Sequence, residues 1–205
     1  MSEEDFFAAE RCMNFIGSLK FCLRVIKIKN IFLTGQIRIG KSTLLNHTLE
    51  KINGKIDGFR TLRYYEENEL KGFYMKGLCE QNQSKELAFI GHCLGENQLR
   101  AVSKTFDTYG VEILNNCLNK KVDLIVMDEL GFLERNAKLF QNKVWEALDS
   151  HIPVFGVLKQ KDASFLQSIR NRKDVELVLV TLENRNVMFE TIMNKVRKAM
   201  MIKKV

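Results

Sequence analysis

Ile31-Phe32-Leu33-Thr34-Gly35-Gln36-Ile37-Arg38-Ile39-Gly40-Lys41-Ser42-Thr43 decides how the rest of the chain is read. It runs from a short apolar strand through a turn with glycine at both ends into the first turn of a helix. The spacing Gly-x-x-x-x-Gly-Lys-Ser suits a loop whose backbone N–H groups surround a chain of phosphates. Gly35 and Gly40 permit the tight turn and a close approach of backbone to ligand. The helix start adds unpaired N–H groups and the positive end of its dipole. Lys41 would reach the β- and γ-phosphates, and the Ser42 hydroxyl would hold Mg²⁺. The expected binding set is therefore Gly35, Gln36, Ile37, Arg38, Ile39, Gly40, Lys41, Ser42 and Thr43, with ATP, GTP or another nucleoside triphosphate as the ligand. The competing reading is a glycine turn that binds nothing. It needs the pattern to arise by accident, which happens on the order of once in a hundred chains of this length, and also to fall between a strand and a helix.

Working outward, strand-like and helix-like stretches alternate. A strand over 29–33 precedes the turn, and a helical pattern over 41–52 follows it. Further on, 122–127 leads to a helix over 138–148, and Val154–Leu158 leads to one over 163–170. A strand over 175–180 then leads to a terminal helix over 185–201. Short β-branched runs alternating with helices predict an α/β fold, a mostly parallel sheet covered on both faces. Ligands of such sheets sit at the carboxyl ends of the strands. Residues 56–64 and 70–78 read as a β-hairpin after the first helix, turning at Glu66-Glu67-Asn68-Glu69. The polar stretch 79–108 suggests one strand near 87–90 among loops, and 111–118 reads as a helix.

A second motif lies about 90 residues beyond the first. In Leu124-Ile125-Val126-Met127-Asp128-Glu129 an apolar strand ends in two acids. Asp128 would hold Mg²⁺ with Ser42, and Glu129 would orient or deprotonate an attacking water. Alone, this pattern is more often an ordinary strand end; paired with the glycine turn it becomes a metal and water site. Lys41 and Glu129 are thus the expected catalytic residues, Ser42 and Asp128 the expected metal ligands.

Composition narrows the class. The chain has 205 residues, 45% hydrophobic and 28% charged, enough for a single globular domain over 29–205. Residues 1–28 read as an N-terminal helical extension, amphipathic over 6–28, packed on the domain or docking elsewhere. Five scattered cysteines without a Cys-x-x-Cys pair argue for reduced thiols and against a disulfide scaffold. The histidines at 47, 92 and 151 are too dispersed for a metal cluster. No apolar run reaches the ~18 residues of a membrane span, and the acidic start does not suit a targeting signal, so a cytoplasmic location is expected. The net charge of +7 is spread along the chain. That suits a polyanionic nucleotide; nucleic-acid binding is possible on charge alone but not otherwise indicated. A monomer or weak oligomer is expected.

Together these residues resemble the small broad-specificity nucleoside-triphosphatases first recognised in thermophiles, also described as cancer-related NTPases. The resemblance covers most of the chain. It rests on residues 31–43, on Asp57-Gly58-Phe59-Arg60-Thr61 with Lys71-Gly72-Phe73, on Val126-Met127-Asp128-Glu129-Leu130-Gly131-Phe132-Leu133-Glu134, and on Thr181-Leu182-Glu183-Asn184-Arg185. It implies a P-loop NTPase fold of three α/β/α layers, with a sheet of the additional-strand (RecA-like) type. There Val154–Leu158 would lie between the two motif strands. It also implies slow Mg²⁺-dependent hydrolysis of several nucleoside triphosphates to the diphosphate and phosphate. The chain departs from the family at Ile37-Arg38, where Pro-Gly is common, and at Leu62 and Arg63, where acids usually follow the threonine.

Further residues carry weaker assignments. Asn184 and Arg185 would lie where the base sits, with Arg185 stacking on any base; local helix-start bonding is the competing reading. Lys159 or Gln160 would sense the γ-phosphate from the end of Val154–Leu158. Arg60 and Arg63 read first as exposed strand residues and second as charge-neutralising arginines. Trp145 reads as core. Two rival functions remain, a small-molecule or nucleoside kinase and a nucleotide-dependent switch or RNA-associated module.

Overall fold

A computed structural model describes residues 27–79, 86–95, 98–161 and 163–202. The amphipathic reading of 6–28 lies, except for its last two residues, outside the described residues. From Lys27 onward the alternation expected from sequence holds. β1 (Asn30–Thr34) and α1 (Lys41–Glu50) flank the glycine turn. β2 (Ile56–Glu66) and β3 (Glu69–Gly77) form the hairpin, closed by Glu67 and Asn68 at φ of 48° and 66°. That two-residue turn with both φ positive matches the natural twist of paired strands, and Asn tolerates it.

The stretch 79–108 differs from expectation. It holds two strands, β4 (Ala88–Gly95) and β5 (Gln98–Ala101), and the next helix, α2, starts at Ser103 and runs over 103–119 with a π-helical stretch at Phe106–Gly110. The intrinsic strand signal of β4 is weak because it contains Gly91, His92 and Gly95. Its pairing with β3 is made by context: a Cβ on Gly72 would meet the Gly91 carbonyl oxygen at 2.5 Å, so the backbones approach more closely than side chains would allow. The remaining elements are β6 (Leu124–Leu130), α3 (Lys138–Asp149), β7 (Val154–Leu158), α4 (Ser164–Arg170), β8 (Val175–Leu179) and α5 (Met188–Ile202).

The eight strands form one sheet in the order β5-β4-β3-β2-β6-β7-β1-β8. The run from β2 to β8 is parallel, and β3, β4 and β5 extend it antiparallel on one side. β7 lies between β1 and β6, as the resemblance implied. Gly156 lets it fit there: a Cβ would sit 2.4 Å from the Met127 carbonyl oxygen and 2.9 Å from the Phe32 ring. Every residue of β1 and β7 is buried, which fits the apolar runs at Ile31–Leu33 and along the whole of β7.

Two cores result, one on each face. Alternate residues Ile125 and Met127 of β6 join Phe59, Phe106, Phe140 and Leu166 under α2, α3 and α4. Leu124 and Val126 join Ile31, Leu45 and Val196 under α1 and α5. The half-buried Trp145 meets Phe165 edge-on at 5.6 Å beside the first core, with the Arg172 guanidinium over its ring at 5.8 Å. Among the described residues no helix is long and apolar enough to cross a membrane.

Candidate active site

The carboxyl ends of β1, β6, β7, β8 and the parallel part of β2 converge on one edge of the sheet, and the sequence-derived site residues collect there. Thr34 ends β1, and the chain turns at once through Gly35, at φ +140°. A Cβ at Gly35 would stand 2.3 Å from the Val180 carbonyl oxygen. Only glycine lets the turn lie against the end of β8, where Val180 N–H donates to the Thr34 carbonyl at 2.8 Å. Gly40 closes the turn at φ +103° as the cap of α1, with nothing within 4 Å of the point where a methyl would stand. One glycine is required by a neighbour, the other by its backbone angle alone.

Arg38, inside the turn, adopts φ +64°. Left-handed backbone costs a non-glycine residue roughly 1–2 kcal/mol, a cost the loop bears at this position. Gln36, Ile37 and Arg38 are exposed, and Ile39 is buried beneath them. Thr43 is exposed on the first turn of α1.

Lys41 is buried, and its Nζ donates to the carbonyls of Gly35 at 2.9 Å and Gln36 at 2.6 Å, spanning the mouth of the loop. Burial pushes its ammonium below the ordinary lysine range. The charge of Glu129 opposes that shift, Lys159 adds to it, and Asp128 opposes it. Both carboxylates of the second motif are therefore electrostatic neighbours of this lysine.

Asp128, almost fully buried, accepts a hydrogen bond from Ser42 Oγ at 3.2 Å. The two ends of the site, far apart in sequence, thus touch. Burial drives the Asp128 carboxyl up to about 6; the Ser42 bond opposes this, Glu129 adds to it, and Arg60 and Lys41 oppose it. A hydroxyl and a carboxylate side by side are hard oxygen donors, the chemistry Mg²⁺ selects.

Glu129 is fixed on two sides. Its backbone N–H donates to Thr61 Oγ1 at 3.4 Å, and its Oε1 pairs with Lys159 Nζ at 2.6 Å. Lys159 reaches it past Gly131, where a Cβ would stand 2.9 Å from the lysine Cδ. Its ammonium lies 5.7 Å and 6.0 Å from the ring centres of Phe132 and Phe73. Lys159, expected as a phosphate sensor, is directed at Glu129; Gln160 beside it is exposed. The turn is completed by Glu134, buried, whose Oε1 accepts from Gly131 N–H and whose carboxyl burial raises to about 7. Thr61, Gly131 and Glu134 had no role assigned from sequence. Their signal was present in the spacing Asp-Glu-Leu-Gly-x-x-Glu, but the spacing does not say which carboxylate faces the ligand and which braces the turn.

Asn184 and Arg185 lie on the loop after β8, beside Gly35 through Val180. Asn184 closes this loop, with Oδ1 accepting from Thr181 N–H at 2.9 Å and Nδ2 donating to the Leu179 carbonyl at 2.9 Å. Its amide is engaged locally, while the Arg185 side chain is exposed. Arg60 is half-buried rather than exposed, and stands in register beside Asp128; Arg63 is exposed. The histidines stay apart, and among the described residues no group of three His, Cys, Asp or Glu side chains could hold a metal. The described cysteines, Cys79, Cys93 and Cys117, are free thiols.

A family model described as NTPase matches residues 30–193. The nucleoside-triphosphatase THEP1 of Methanocaldococcus jannaschii is 29% identical over 170 residues, covering 81% of this chain and 96% of the relative. The human cancer-related nucleoside-triphosphatase is 26% identical over 186 residues, covering 83% and 98%. Among solved structures, that of a human cancer-related nucleoside triphosphatase superposes with a TM-score of 0.67 at 26% identity, over 82% of this chain and 97% of the other. The THEP1 crystal structure from Aquifex aeolicus gives 0.66 at 21% identity over 82% and 98%, and shows a common fold. The chain belongs to this NTPase family, the one that includes the THEP1 nucleoside-triphosphatases.

Proposed function

We propose that the chain hydrolyses nucleoside 5′-triphosphates to the diphosphate and phosphate at the edge where β1, β6 and β7 end, with Mg²⁺ as cofactor. The carrying observation is the contact of Ser42 Oγ with Asp128 Oδ1 at 3.2 Å beside the glycine turn. This contact joins a phosphate cradle to an acidic strand tip. Ser42 and Asp128 fit Mg²⁺, which ordinarily takes one or two protein oxygens and fills its shell with water and phosphate. When bound there, the ion would neutralise charge on the β- and γ-phosphates.

The chain's own groups have distinct tasks. The amides of residues 35–41 hold the phosphates, the open side of Gly40 leaving them room. Lys41, already lying across the loop mouth, turns its ammonium from the Gly35 and Gln36 carbonyls onto phosphate oxygens. Glu129, clamped by Lys159 and Thr61, orients a water in line with the γ-phosphorus. Oxygen of that water bonds to phosphorus as the bond to the β–γ bridging oxygen breaks. The diphosphate leaves with the electron pair, and the water's proton passes to Glu129 and on to the released phosphate. Because phosphoryl transfer asks for little covalent chemistry, positioning and charge account for the rate. The exposed loop holding Leu182 and Arg185 offers the base an apolar surface and a guanidinium, which suits tolerance of several bases. The relatives' names, all nucleoside-triphosphatases, weigh against the kinase and switch readings.

The test is phosphate release from five nucleoside triphosphates with and without Mg²⁺, for the native chain, Lys41→Ala and Glu129→Gln. Expected are Mg²⁺-dependent turnover, loss of it in Lys41→Ala, and a drop on the order of 10²–10⁴ in Glu129→Gln with nucleotide still bound. Unchanged turnover in Glu129→Gln would remove that residue from the reaction; Mg²⁺-independent release would remove the metal.

A further inference from the structure

We propose that Arg60 is a built-in arginine finger: its guanidinium binds the γ-phosphate of the bound nucleotide and stabilises the charge that builds there during transfer. This rests on the hydrolytic reading of the same site. The placement follows from register. Arg60 on β2 is paired with Asp128 on β6 in a parallel ladder. Register partners project to the same face, one strand spacing apart, about 4.8 Å. Asp128 belongs to the face of β6 that carries Leu124 and Val126, the face covered by α1. Arg60 therefore stands on the Ser42 side of the sheet, on the flank of Asp128 away from the glycine turn.

Among the described residues its guanidinium forms no salt bridge, with no carboxylate oxygen within 4.0 Å, whereas Arg172 and five lysines do find such partners. Arg60 Nε is buried and has no hydrogen-bond partner among the described residues. A buried unsatisfied donor is uncommon in a folded protein and calls for a reason. An exposed strand arginine would let its head reach water; this one is half-buried at the tip of the motif strands. It is still close enough to Asp128 to oppose the upward shift of that carboxyl.

The geometry selects the γ-phosphate among anions. The glycine turn on β1 takes the inner phosphates, and Asp128 lies two strands further along. A phosphate chain running from the turn toward Asp128 presents its terminal group to β2. A guanidinium there offers a planar pair of donors to two oxygens of the transferring group. Water oxygen bonds to phosphorus, the bridging oxygen leaves with the diphosphate, and Arg60 neutralises the equatorial oxygens.

The experiment compares native chain, Arg60→Ala, Arg60→Gln and Arg60→Lys. It measures turnover, affinity for the diphosphate and for a non-hydrolysable triphosphate, trapping of the diphosphate with aluminium fluoride, and melting temperature. Expected is a fall in kcat on the order of 10²–10³ for Arg60→Ala and Arg60→Gln. Diphosphate affinity should be unchanged, triphosphate affinity weaker and fluoride trapping lost, with Arg60→Lys partly restored because it keeps charge but loses the fork. Turnover within threefold of native overturns the proposal. So does equal loss of diphosphate and triphosphate affinity, or a lowered melting temperature shared by Ala, Gln and Lys variants; either would mean that Arg60 serves Asp128 or the fold. A native chain that releases no phosphate would instead refute the hydrolytic reading itself.

Discussion

Gly35 and Gly40 share a motif but should fail differently when given a methyl group. At Gly35 the new Cβ would sit 2.3 Å from the Val180 carbonyl oxygen. Contacts below 3.0 Å are essentially never seen, so the turn or the end of β8 must move by at least 0.7 Å, the difference between those distances. That movement strains the Val180 N–H bond to Thr34 O, now 2.8 Å, worth about 1 kcal/mol. A φ of +140° adds about 1–3 kcal/mol for any residue with a side chain. With the contact itself, Gly35→Ala should lose roughly 3–5 kcal/mol out of the 5–15 typical of a folded domain. For a domain of this size that is a fall in Tm of about 6–20 °C. Gly40→Ala meets nothing within 4 Å and bears only the left-handed backbone, about 1–2 kcal/mol. Its methyl, though, enters the space assigned to phosphate, so nucleotide affinity should suffer more than stability. Thermal melts of both variants without nucleotide, then titration with a diphosphate, separate the two effects. If Gly35→Ala melted within 2 °C of native, or below it only as far as Gly40→Ala does, the packing argument would be wrong.

Two further outcomes follow from the brace behind Glu129. Lys159→Met should lower kcat by about 10–100-fold with little change in nucleotide affinity, because it frees the Glu129 carboxylate proposed to orient the water; a KM effect alone would disconnect Lys159 from the chemistry. Glu134 offers a pH test. Its carboxyl is raised from an ordinary 4.5 to about 7 by burial, so the unfolded chain releases this proton first as pH rises. The group therefore costs no stability below about pH 4.5. It costs progressively more as pH climbs to 7, reaching about 3 kcal/mol as an upper bound. Glu134→Gln keeps an oxygen for Gly131 N–H and should flatten this slope. Native and variant would agree in urea midpoint near pH 4.5, and the variant would be the more stable at pH 8; parallel curves would refute the assignment.

Much of this site can be read from the chain because its parts are local. Gly35 to Ser42 is a contiguous turn whose conformation follows from two glycines and a helix start. Asp128 and Glu129 follow an apolar run, Leu124–Met127, that is unmistakable. What sequence hides is anything set by register between distant strands. Arg60 reads as a surface residue until β2 is placed beside β6, and Thr61 gains its role only because Glu129 N–H meets it there. The same applies to β4 and β5: Gly91, His92 and Gly95 are poor strand formers, and only the edge of β3 makes them one. The helix over 103–119 was expected only in its second half, since the π-helical stretch at Phe106–Gly110 breaks the regular spacing of apolar residues.

The wedge formed by β7 has a consequence for how such a protein can diverge. Grip and acidic tip stand apart by two strand spacings, about 10 Å, a length set by peptide hydrogen bonding and not by any particular side chain. β7 acts as a gauge block, and Gly156 is where its thickness is trimmed to size. Surface and loop residues can be exchanged freely without altering that calibration, while one added methyl at Gly156 would miscalibrate both halves of the machine at once.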